Sequence, residues 1–318
     1  MWREQMNQKG SKGEPFVFLI DFDCQEAKIF EIENSSDILW QIRDRNNVQE
    51  IIKGVNKLKK WKINPVSFGE YKNGFDIIQK HINEGDTYLL NYTAPAMVET
   101  NLTLEEIFFI SKATYKIYLK NRFVCFSPEC FIKIQNGIIS SFPMKGTIDA
   151  GVKKAKEKIL YDTKEIAEHN TIVDLIRNDL SLVADNVKVE QFRYLQRVRT
   201  NKTNLWQVSS KITGVPIPNF KEKIGDIIFA MLPAGSVSGA PKQKTVKIIH
   251  ETENYDRGYY TGIFGVFDGK NLDSCVLIRF LENYNGQLIY KSGGGITFMS
   301  DAKKEYEEMI KKIYVPVY

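Results

Sequence analysis

Two short turn signals constrain the architecture of this chain more than any other feature. Asn136-Gly137 lies inside a strand-rich run, residues 115–139, and Asp268-Gly269 joins residues 259–266 to residues 272–281. An Asn-Gly or Asp-Gly pair between apolar runs specifies a hairpin, because both positions tolerate the positive φ that tight hairpin turns need. Hairpins make antiparallel pairs. Helical patterns fall between the strands at irregular intervals rather than one after each strand. The expected fold class is therefore α+β with antiparallel sheets, not a doubly wound parallel sheet.

Residues 1–14 are polar and are expected to be loosely held. Phe16-Val17-Phe18-Leu19-Ile20 reads as a buried strand, with residues 28–32 as its hairpin partner. Residues 41–62 carry charge at helical spacing, and residues 65–69 read as a loop. Residues 75–82 form an expected helix with Ile77, Ile78 and Ile82 facing a core. Gly85-Asp86 turns the chain into a strand, 87–98. A short helix is expected at 104–113, a long one at 162–182, and further helices at 224–231 and 301–313. Further strands are expected at 206–212 and 288–292.

Composition narrows the function classes. Of 318 residues, 43% are hydrophobic and 26% charged, enough apolar content for a sizeable core. The net charge of +5 is mild and its lysines are spread along the chain. Nucleic acid is not an expected partner, while an anionic small molecule is compatible. Cys24, Cys125, Cys130 and Cys275 form no CxxC pair, and only three histidines are present. Neither a zinc site nor a disulfide framework is expected, which suits a reducing cytoplasm. The polar N-terminus is unlike a signal peptide, and no stretch approaches the ~18 apolar residues of a membrane span. The expectation is a soluble, cytoplasmic protein with no membrane contact.

Five segments and one arginine carry candidate chemistry. In Pro143-Met144-Lys145-Gly146-Thr147, a lone lysine sits between an extended run and a glycine. Asp162-Thr163-Lys164-Glu165 resembles a helix-capping box, after which Ile166, Val173, Ile176 and Leu180 form an apolar stripe bordered by Glu165 and Glu168. The last helix repeats the arrangement, with Glu305, Glu308 and Lys312 bordering Tyr306, Met309, Ile310 and Ile313. Like charges one turn apart repel, so a compensating cation is favoured. Four carboxylates without histidine or cysteine suit hydrated Mg2+. Two solvated helix faces explain the same pattern. Gly235 to Lys242 can cradle an anion but is not a phosphate-binding P-loop, since Lys242 follows a proline. Gly293-Gly294-Gly295 permits close backbone approach to a ligand, or marks a bulge or tight turn. Arg279, ending an apolar strand, needs an acidic partner from substrate or protein.

In this order the segments resemble the chorismate-utilising enzymes, which include anthranilate, aminodeoxychorismate, isochorismate and salicylate synthases. The resemblance rests on Gly85 to Tyr88, Ser127-Pro128-Glu129, Pro143 to Thr147, Glu165 to Glu168 leading into Ile172 to Leu180, Gly235 to Lys242, Arg257 to Gly262, Gly293 to Ile296, and Glu305 to Glu308. It implies a single domain of two large packed antiparallel sheets with helices outside. Residues 66–318 would be the chorismate-binding catalytic region, and residues 1–65 a shortened N-terminal segment of the same domain. The resemblance also implies Glu168 and Glu308 as direct Mg2+ ligands, with Glu165 and Glu305 as a second, water-mediated pair. Tyr260, Arg279, Gly293, Gly294, Gly295 and Lys312 would hold the substrate's carboxylates, with Thr147 and Ser238 beside it.

Within the family the chain looks like an aminodeoxychorismate synthase component I, because those enzymes carry lysine where Lys145 stands and anthranilate synthases usually carry alanine. Leu89 occupies the place of the general-base lysine of isochorismate and salicylate synthases, which disfavours those activities. The implied reaction converts chorismate and ammonia to 4-amino-4-deoxychorismate for 4-aminobenzoate and folate biosynthesis, the ammonia coming from a separate glutamine amidotransferase subunit. Lys145, neutral through burial near cationic groups, would attack C2, and Glu129 would protonate the departing C4 hydroxyl. Gln207 replaces a histidine usual in the family. The short N-terminal region implies no tryptophan regulation. The alternatives are an anthranilate synthase component I or a chorismate-binding protein with impaired catalysis.

Overall fold

In this computed structural model, residues 1–32, 36–49, 56–199 and 204–317 are described. Their strands form two nine-stranded sheets in which all pairings are antiparallel. Strand Phe16–Ile20 lies second from one edge of the first sheet, between Ile263–Phe267 and Ala27–Phe30. Phe16, Phe18 and Ile20 pack into the layer that contains Ile172, Ile176 and Ile227 from the covering helices. Val17 and Leu19 pack into the core between the sheets, with Trp40, Tyr115 and Phe280. A strand covered on both faces has no solvent side, so its sequence is continuously apolar. Helices Thr163–Ser181 and Ile224–Met231 cover the first sheet, while Phe68–Asn83, Lys242–Thr252 and Ala302–Lys311 cover the second. The result is one α+β domain of two packed antiparallel sheets with helices outside, as expected. The hairpin turns are present too, with Asn136 and Gly137 both at positive φ.

Several local expectations are corrected. Residues 1–14 are not loose: Trp2–Ser11 is a helix with Met6 fully buried. It packs through Met6, through Trp2 against Phe229, and through Gly10, where a Cβ would lie 2.0 Å from the Lys221 carbonyl oxygen, while Arg3 and Asn7 bond Asp226; so mixed a set of contacts leaves no apolar stripe to announce it. Residues 41–62 are not a helix. Ile38–Ile42, Arg45–Asn46 and Trp61–Pro65 are strands, and residues 50–55 lie outside the described residues. Buried Ile38, Trp40 and Ile42 show the two-residue period, which the charges around them obscure. Helix Phe68–Asn83 begins earlier than expected, at a capping box of Ser67 and Glu70, and Ile77 faces solvent while Ile78 is buried. The long strand Ala184–Arg199 was not anticipated; its register against Asn204–Pro216 shifts three times.

Two differences bear on function. The expected strand 272–281 is two strands, Leu272–Val276 in the first sheet and Phe280–Tyr284 in the second. Between them Arg279 takes φ +58°, and the chain crosses from one sheet to the other there. The three glycines are neither bulge nor turn. They continue strand Gln287–Ile296 in unbroken register, Gly293, Gly294 and Gly295 facing Thr93, Tyr92 and Asn91.

Candidate active site

Lys145 stands on strand Met144–Asp149, where a bulge aims it. Met144 pairs with Ser209 and Thr147 with Gln207, so two residues oppose Val208 alone. Gly146 takes φ +85°, and a Cβ there would lie 2.8 Å from Glu165 Oε2. Only glycine allows both the turn of the backbone and the approach of that carboxylate. Helix Thr163–Ser181 starts at Asp162, whose side chain accepts from the Glu165 N–H. Arg193 fixes the same end by donating to the carbonyls of Ile159, Leu160 and Glu165. Buried His169 lies 2.7 Å from Ser210 Oγ, and the Ser210 N–H donates to the Pro143 carbonyl. The helix is thereby locked to the strand that leads into Lys145.

Lys145 Nζ donates to Glu168 Oε2 at 3.0 Å. Burial pushes the ammonium's pKa down, but the carboxylates of Glu168, Glu308 and Glu165 outweigh it and hold it above its ordinary value. The expectation of a lysine kept neutral near cationic groups is corrected: its immediate surroundings are anionic, and the group is charged. Burial and the neighbouring Glu168 raise the Glu165 carboxyl.

Helix Ala302–Lys311 contributes the second pair. Glu305 is buried, while Glu308 reaches outward to Lys312 Nζ at 2.8 Å. Lys312 Nζ also donates to the Gly293 carbonyl at 3.0 Å. A Cβ on Gly294 would sit 3.4 Å from Lys312 Nζ, and one on Gly295 would sit 3.2 Å from Lys145 Nζ. The bare glycine strand thus lets two lysines approach the sheet from two different elements.

Among the described residues, the group of three candidate ligands whose donor atoms all lie within 4.8 Å of one another is His81, Glu84 and Asp86, away from this cleft. The four glutamates are not drawn around one point, because Lys145 and Lys312 stand among them. Their donor chemistry, oxygen only and partly buried, still fits a hard divalent ion that keeps several waters.

Lys145, Leu89, Asn91, Ser236, Ser238 and Gly295 line a cavity of about 190 Å³. Gly235 and Ser236 separate it from a second, of about 330 Å³, lined by Glu129, Phe131, Ile176, Asp179 and Met231 among others. The Ser236 hydroxyl donates to Glu129 Oε1. Burial raises the Glu129 carboxyl above its ordinary range, against Ser236 and the cations Arg279, Lys145 and Lys312. Arg279 pairs with no carboxylate among the described residues; its Nε has no hydrogen-bond partner, and its guanidinium lies 5.5 Å from the Tyr314 ring centroid. Tyr260 is buried between the sheets beside Phe280.

The structure gathers most of the expected residues but not all. Thr147 is exposed and lines neither cavity. Ser238 reaches the cavity wall but donates its hydroxyl to the Ala234 carbonyl at 2.9 Å. The segment Gly235 to Lys242 is not an open anion cradle. The N–H groups of Val237 and Ser238 bond to Ala234, and Lys242 Nζ pairs with Asp179 at 2.8 Å. Gln207 Nε2 contacts Met144 Sδ at 3.0 Å. Arg257, which opens one of the resemblance motifs but carries no expected role, is a buried arginine that grips Glu253 with two nitrogens and the carbonyls of Asn91 and Val237. Its signal was a charged residue beside the paired tyrosines 259 and 260.

Residues 14–317 match the chorismate binding enzyme model, and the chain belongs to that family. It is 47% identical over 316 residues to an uncharacterized PabA-like protein of Pasteurella multocida, covering 99% of this chain and 98% of that one. It is 34% identical to anthranilate synthase component 1 of Acetivibrio thermocellus over 74% of this chain and 49% of that one. It is 28% identical to aminodeoxychorismate synthase component 1 of Bacillus subtilis over 79% and 55%. Among solved structures, anthranilate synthase component I of Streptococcus pneumoniae superposes with a TM-score of 0.69 at 25% identity, over 81% of this chain and 59% of that one. The Escherichia coli isochorismate synthase MenF shares the fold, with a TM-score of 0.74 at 14% identity over 98% and 79%.

Proposed function

We propose that this chorismate-utilising enzyme is an aminodeoxychorismate synthase component I, forming 4-amino-4-deoxychorismate from chorismate and ammonia. The observation that carries the reading is Lys145, placed by a glycine bulge at the wall of the cavity. In the proposed step Lys145 first gives its ammonium proton to Glu168, its hydrogen-bond partner, and the freed amine attacks C2; the double bonds shift, and the C4 hydroxyl leaves as water with the proton of Glu129. Ammonia then adds at C4 and expels the lysine, so the net reaction exchanges ammonia for water.

Arg279, the backbone of Gly293–Gly295 and Lys312 are proposed to receive the substrate's carboxylates, with Tyr260 behind them. An arginine buried without an acidic partner favours an anionic ligand. A raised carboxyl pKa suits Glu129 to proton donation near neutral pH. Glu168 and Glu308 would hold Mg2+, with Glu165 and Glu305 through water. Bound there, the ion supplies positive charge toward the substrate and competes with Lys145 for Glu168. The amine must leave its pairing with Glu168 before it can attack. Leu89 offers no base to activate water in that cavity, which counts against hydration chemistry. The ammonia is proposed to come from a separate glutamine amidotransferase. Similarity to anthranilate synthase component 1 favours a second reading, anthranilate formation in the same cleft.

With chorismate as substrate, consumption is expected to require both Mg2+ and ammonium, and Glu308→Ala should raise the Mg2+ concentration needed by about tenfold or more. Chorismate loss without ammonium, followed by absorbance and product chromatography, would count against an aminating enzyme.

A further inference from the structure

The turn Gly235–Val237 forms the partition between the two cavities, and Ser236 lines both. The turn comes close to helix Thr163–Ser181, for a Cβ on Gly235 would lie 2.9 Å from Asp179 Oδ2 and 3.0 Å from Leu175 Cγ. Glycine there brings Ser236 within hydrogen-bond reach of Glu129. The Glu129 backbone is fixed on both sides: its N–H donates to Ser127 Oγ at 3.1 Å and its carbonyl accepts from Val276 N–H at 3.1 Å. Its carboxyl accepts from Ser236. The other loop serine, Ser238, donates its hydroxyl to Ala234 instead.

Resting on the reading of Glu129 as the proton donor, we infer that Ser236 is the positioning residue that holds this carboxyl, which lines the neighbouring cavity, at the partition shared with the Lys145 cavity. A hydroxyl donor fixes the carboxyl rotamer and favours its charged form. Arg279, Lys145 and Lys312 act on the same carboxyl in the same direction, and the Cys275 thiol also interacts with it. Removing Ser236 therefore disorders the carboxyl and moves its titration upward.

The test compares wild type, Ser236→Ala, Ser236→Thr and Glu129→Gln. Ser236→Ala should lower kcat about tenfold or more with KM for chorismate changed less than about threefold, and Ser236→Thr should recover most of it. In ligand-free protein the infrared band of the protonated carboxyl absent from Glu129→Gln should titrate at higher pH in Ser236→Ala. That band needs no turnover, so it reports on Ser236 even if the amination reading fails. An unmoved band overturns the inference, and so does a kcat loss that threonine does not restore.

Discussion

Lys145→Ala is expected to reduce formation of aminated product about a thousandfold or more, while the protein stays folded. The lysine is a quarter exposed but Glu168 is buried, so losing the ion pair should cost some stability, less than for a pair buried on both sides. Lys145→Arg separates two roles. Arginine keeps the positive charge among Glu165, Glu168 and Glu308 but does not deprotonate and cannot attack. If charge alone mattered, Lys145→Arg would retain activity. The account expects it to be as inactive as the alanine variant, measured as product formed per minute by chromatography, with circular dichroism confirming the fold.

Arg257→Ala should produce the largest loss of stability. Both side chains of the Arg257–Glu253 pair are 2% exposed. Arg257 Nε and Nη2 donate to the two Glu253 oxygens at 2.8 and 2.7 Å, and Glu253 also accepts from the Thr93 N–H and hydroxyl. The same guanidinium holds the Val237 and Asn91 carbonyls, and it stacks over the Phe22 ring at 4.5 Å. Alanine leaves the carboxylate buried with the Thr93 N–H and hydroxyl but without its guanidinium. Breaking one side of such a pair costs ~3–5 kcal/mol. Denaturant unfolding should show that loss, whereas a change below ~1 kcal/mol would mean that water replaces the guanidinium. Turnover should fall as well, because Val237 and Asn91 flank the Lys145 cavity.

What was legible in the sequence was local. The Asn136-Gly137 hairpin, the Asp162 cap and the i, i+3 glutamate pairs depend on neighbours within one turn, so spacing alone reveals them. Ile38–Ile42 was lost because its alternation is short and embedded in charge. The crossing at Arg279 was lost because an apolar run continues on both sides of a single residue at positive φ. In the site, the residues gathered at the cavity were foreseeable only as a set implied by ordered motifs. Their connections were not. Ser236 meets Glu129 across 107 positions and Arg257 meets Asn91 across 166, distances that no local pattern encodes. The charge on Lys145 was misjudged for the same reason, since it depends on carboxylates that only the packed helices bring to it.

The central claim is that Lys145 makes this cleft an aminating site at C4. Its most direct test is the product formed from chorismate, Mg2+ and ammonium by the purified wild-type protein. The account predicts a non-fluorescent compound that a separate lyase converts to 4-aminobenzoate. Direct appearance of fluorescent anthranilate would contradict it.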